Sequence, residues 1–115
     1  MEKLIRGGIY LVRLDPAKGA EIGKLRPVIV LTDQTLLNAT PPLVFVCPLS
    51  SRSDPAFAAL HLALPARDGI HRPSFALVEH CRAISRSRIL SERLGQATDE
   101  ELANLVHRLT LMVGG

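Results

Sequence analysis

The chain has no tryptophan, one tyrosine and three phenylalanines among its 115 residues. With Tyr10, Phe45, Phe57 and Phe75 as the whole aromatic supply, the core must be aliphatic, and a surface built on several base-stacking rings is excluded. Long apolar runs are also lacking: nothing reaches the roughly 18 residues that a membrane span needs. The charged start Met1-Glu2-Lys3-Leu4-Ile5-Arg6 is not followed by a long apolar segment either, so a cytoplasmic protein with no membrane partner is expected. Only two cysteines occur, Cys47 and Cys81, both in apolar stretches where a free thiol serves as a small core residue rather than a redox group.

Several site chemistries are missing as well. His61, His71, His80 and His107 are scattered without ligand spacing, so no metal or other cofactor is expected. The segment from Gly19 to Lys24 has one residue too few between its glycines for a phosphate-binding loop, and Leu25 stands where Ser or Thr would hold magnesium. Ser50 and Ser51 lack the flanking glycines of a hydrolase nucleophile elbow.

What is present is one domain, residues 1–115, with an apolar content of 47% and a net charge of +3 that permits an anionic partner. Gly8 to Leu14 reads as a strand stopped at Asp15-Pro16, and Ala17 to Lys24 as an exposed loop. Arg26 to Thr32 is a second strand, Gln34 to Asn38 one helical turn, and Leu43 to about Pro48 a third strand interrupted by its proline. The alternation from Ala58 to Leu64 predicts a strand with Leu60, Leu62 and Leu64 facing the core, and Phe75 to Ile84 holds further strands. Thr98 and Glu101 form a capping box for a helix whose apolar face is Leu102, Leu105, Val106, Leu109 and Met112, stopped by Gly114-Gly115. The class is therefore mainly β with α (α+β): five to seven short strands curled into a partly open barrel, with a C-terminal helix.

Two strand ends carry chemistry. Arg26 precedes Pro27 at the head of Val28-Ile29-Val30-Leu31, and Ser50-Ser51 close Val44 to Leu49. A guanidinium and a hydroxyl on rigid strand ends suit a phosphate.

The blocks Arg6-Gly7-Gly8-Ile9-Tyr10, Leu14 to Lys24, Arg26 to Leu31, Pro48-Leu49-Ser50-Ser51 and Glu79 to Ile84, in this order, resemble the MazF/PemK-like toxin family over nearly the whole chain. The resemblance implies a small SH3-like or CcdB-like barrel and a homodimer. It also implies a metal-independent endoribonuclease acting on single-stranded RNA, restrained by a cognate antitoxin and meeting DNA only through an antitoxin complex. It assigns catalysis to Arg26, to Ser50 where threonine is usual, and to Glu79, an acidic position with a proton-transfer role in some members. Lys18, Lys24, Ser51, His80 and Arg82 are then the expected RNA contacts. Gly8 stands where aspartate is common and His80 where glutamine is common. Strand alternation would send His80 to the face opposite Glu79.

Two other classes stay open. One is a CcdB-like, non-catalytic toxin that binds DNA gyrase, whose C-terminal tryptophan this chain lacks; the other is a catalytically weak RNA-binding module.

Overall fold

The computed structural model describes residues 3–115; Met1 and Glu2, with the reading placed on them, lie outside the described residues. Seven strands form one sheet: β1 Gly8–Arg13, β2 Leu25–Val30, β3 Leu43–Ser50, β4 His61–Leu64, β5 Ser74–Leu77, β6 Arg82–Ser85 and β7 Gly95–Gln96. Helix α1 is Gln34–Asn38 and helix α2 is Asp99–Met112. The spatial order is β4-β5-β3-β2-β1-β7, with β6 also on β3, and all pairings are antiparallel. The result is a curled half-barrel with a C-terminal helix.

Both faces of the sheet are covered. Ile9, Ile29, Cys47 and Leu49 pack on one side with Leu102 and Leu105 of α2, while Tyr10, Val12, Val28, Val30, Val44 and Val46 pack on the other with Leu37 of α1. Double burial explains why β2 and β3 read as continuous apolar runs rather than alternating ones.

Pro48 does not interrupt β3, contrary to the sequence expectation; the strand runs on to Ser50. The reason is a change of partner. Val44 to Val46 pair with β6, and Leu49 and Ser50 pair with β5 on the same side, so Pro48 falls in the interval between two partners. Phe45 accepts the Leu31 N–H, which sets the odd residues of β3 toward β2 and turns the Pro48 nitrogen into that interval, where no ladder bond is required.

Two further expectations are corrected. The β4 strand begins only at His61, because Pro55–Leu60 is a 3₁₀ segment opened by Asp54, whose carboxylate accepts the Ala56 N–H. Val78–His80 is also a 3₁₀ turn rather than strand. The capping box of α2 is present as expected, with Thr98 and Glu101 exchanging bonds. Its inner face is narrower than the pattern implied: Leu102 and Leu105 are buried and Leu109 packs against the same core, whereas Val106 and Met112 are exposed.

Candidate active site

Arg26 and Ser50 come together. Arg26 sits in β2, half-buried, with its Nε donating to the Gly23 carbonyl at 2.9 Å, so the guanidinium is anchored at one edge and free at the other. Ser50 ends β3, and its Oγ accepts the Arg52 N–H at 3.2 Å, a local turn that fixes the hydroxyl. Both line a cleft of about 420 Å³ together with Ser51.

The opposite wall of this cleft is the loop from Gly69 to Ser74, which adds His71 and Arg72. Sequence reading missed these two; the only signal was a basic pair beside Pro73 in a loop. The Ser74 Oγ is buried there without a protein partner. Gly69 holds the loop down by donating its N–H to the Leu94 carbonyl at 2.7 Å.

Glu79 lies elsewhere. It lines a neighbouring cavity of about 630 Å³ with Glu21, Arg52, Asp54, Phe57, His61 and His80. Its carboxylate is engaged: the His61 Nε2 stands 2.6 Å from Oε2 and 2.8 Å from Oε1, so this N–H donates to the carboxylate. At the other side of the ring, His61 Nδ1 is 2.7 Å from Ser53 Oγ. The 3₁₀ turn brings His80 into the same cavity as Glu79, overturning the expected opposition of the two. A smaller recess of about 200 Å³ adds Arg82 to Glu21, Glu79 and His80, and one terminal nitrogen of Arg82 is buried there without a partner.

Lys18 and Lys24 line neither the Arg26 cleft nor the Glu79 cavity. Both are exposed on the loop between β1 and β2, where their backbone N–H groups donate to Glu21 and Asp15 at 2.8 Å. Lys24 holds a left-handed backbone, φ 72°, at the neck of that loop.

Cys47 is buried in the core, and Cys81 is half-buried against it. Contact with Cys81 and then burial push Cys47 well above the ordinary thiol range, with a smaller contribution from the charge of Glu79. Among the described residues, no group of three His, Cys, Asp or Glu side chains is placed to hold a metal ion, and no helix is long and apolar enough to cross a membrane.

The same architecture occurs in solved proteins. MazF from Deinococcus radiodurans superposes with a TM-score of 0.84 at 28% identity, covering 100% of both chains. A MazE-MazF complex from the same organism gives 0.77 at 29% identity over 99% of this chain and 98% of that one. An endoribonuclease from a mycobacterial species, solved with its cognate antitoxin, gives 0.71 over 99% and 96%; at 14% identity it shares the fold alone. Residues 5–113 match the family of PemK-like, MazF-like toxins of type II toxin-antitoxin systems. With that match spanning nearly the whole chain, this protein belongs to the PemK-like, MazF-like toxin family.

Proposed function

We propose that this toxin is an endoribonuclease that cleaves single-stranded RNA, with mRNA as the main target, by transesterification. RNA carries its own nucleophile, so the protein need only promote attack of a 2′-hydroxyl on the adjacent phosphorus. The products are a 2′,3′-cyclic phosphate and a 5′-hydroxyl. Charge gathers on the equatorial oxygens in the transition state, and fixed donors aimed there lower the barrier.

The observation that carries this reading is the shared cleft of Arg26 and Ser50, two donors from neighbouring strands with their backbones locked in one sheet. Arg26 supplies charge stabilisation, since a guanidinium does not readily give up its proton. Ser50 supplies a neutral donor. His71 is the imidazole of the same cleft, and protonation of the leaving 5′-oxygen is assigned to it. Glu79 is assigned as the general base; in that role its carboxylate, which lines the neighbouring cavity beside His61, must reach the 2′-hydroxyl next to the phosphate held by Arg26 and Ser50. Ser51 and, on the neighbouring side, His80 and Arg82 contact flanking nucleotides; Lys18 and Lys24 meet phosphates as the β1–β2 loop closes.

The working unit is a homodimer in the cytoplasm, held inactive by a cognate antitoxin, as the MazE-MazF complex of the Deinococcus relative makes reasonable. DNA is met only through that complex. The deciding experiment incubates the protein with single-stranded RNA in chelator and repeats it with a 2′-deoxy sugar at the mapped cleavage position. Cleavage of the ribose substrate alone is expected. Cleavage of the deoxy substrate removes the mechanism, and no cleavage of either leaves a binding toxin.

A further inference from the structure

His61 is the one polar residue buried in the core among the described residues, with 3% of its side chain exposed. Its position on β4 gives no reason for an imidazole: Leu64 of the same strand is buried in aliphatic contacts, and a hydrophobic residue of similar volume would pack without desolvating a polar ring. Yet both ring nitrogens are satisfied. The Nε2–H donates to Glu79, and in the neutral ring Nδ1 accepts the Ser53 hydroxyl.

The two partners belong to different elements. Ser53 lies three residues beyond Ser50, in the segment that divides the Arg26 cleft from the Glu79 cavity. Glu79 lies in the 3₁₀ turn between β5 and β6. We propose that His61 is a positioning residue of the RNA-cleaving site, coupling the Glu79 carboxylate to the segment that carries Ser50 and Ser51. This rests on the ribonuclease reading. The imidazole acts through its two partners: it holds the carboxylate, and through Ser53 it holds the turn that carries the Ser50 hydroxyl. Removing either end of the chain therefore releases the other.

The test is a double-mutant cycle with Ser53→Ala and Glu79→Gln, alone and together, supported by His61→Asn and by backbone amide spectra. Ser53→Ala is expected to lower kcat about tenfold with KM nearly constant, because misplacement costs turnover more than binding, and Glu79→Gln at least about a hundredfold, because it removes the base itself. The double variant should lose little more than Glu79→Gln alone, since the position of residue 79 no longer matters once the base is gone. Glu79→Gln should also shift the Ser50 and Ser51 amide resonances in the parent protein but not in Ser53→Ala. Ser53 is in a loop, so its loss leaves the core intact even where His61→Asn fails to fold.

Multiplicative losses, or Ser50 and Ser51 resonances that ignore Glu79, overturn the proposal. The spectra need no cleavage. A parent protein that does not cut RNA thus ends the ribonuclease reading, whereas unlinked spectra in a protein that does cut RNA end only the coupling.

Discussion

Arg67 and Glu101 join the loop after β4 to the first turn of α2. The guanidinium donates from both terminal nitrogens to the two carboxylate oxygens, Nη2 to Oε2 at 2.7 Å, while Glu101 also accepts the Thr98 N–H at 2.9 Å. One carboxylate thus caps a helix and pins it to the sheet.

The stability of this joint depends on pH. Hydrogen bonding by Arg67, then the Thr98 contacts, hold the Glu101 carboxyl below its ordinary range despite partial burial. A depressed acid stabilises the fold above its unfolded pKa, and that stabilisation is lost as pH falls through the folded value. Glu101→Gln should therefore cost about 1 kcal/mol at neutral pH, solvent screening included, and flatten the acid limb of a Tm-against-pH curve. An unchanged acid limb would assign the pH dependence to other carboxylates.

Arg26→Ala and Ser50→Ala should each slow RNA cleavage at least about tenfold, a loss of about 1.4 kcal/mol or more of transition-state stabilisation. Circular dichroism should show both variants folded, because neither side chain lies in the core. Full turnover in either variant removes that residue from the site.

His71→Ala should lower kcat by about a hundredfold, within the range ascribed to general acids. A substrate with an activated leaving group, which needs no protonation, should be cleaved equally by variant and parent. Equal losses on both substrates would make His71 a binding residue.

Phe57 is half-exposed and lines the Glu79 cavity. Phe57→Ala should weaken RNA binding by about 1 kcal/mol or more if a base stacks on the ring, read as a rise in KM at constant kcat. Constant KM would leave hydrogen bonding as the sole source of base recognition.

Gly69→Ala should disturb the Arg26 cleft from outside it. An added Cβ would lie 2.6 Å from the Leu94 carbonyl oxygen, backbone against backbone, so the loop bearing His71 must lift. A stability loss of about 1–3 kcal/mol is expected, with a matching fall in activity. An alanine variant of parental Tm would show that the loop shifts freely.

Much of this was legible in the residues. Arg26 and Ser50 were found because strand ends announce themselves: a proline beside a cation, hydroxyls after an apolar run. The α2 helix was found from Thr98 and Glu101, whose exchange of bonds is local in sequence. His61 was hidden because its partners are 8 and 18 residues away, and strand periodicity assigned it to the outer face. Glu79 and His80 were misread for the opposite reason: alternation was applied where the chain makes a 3₁₀ turn. Pro48 was taken as a terminator because nothing local reveals that a strand is changing partners.

The divided allegiance of β3 also sets the order in which the sheet around the cleft can be completed during synthesis. The strand that ends in Ser50 is completed only when β5 and then β6 arrive, and β1 waits for β7 at Gly95–Gln96. Arg26 and Ser50 leave the ribosome early; the loop opposite them follows, and β6, β7 and α2 emerge after it. A nascent chain arrested before Gln96 should thus carry both residues without the closed sheet that holds them in place.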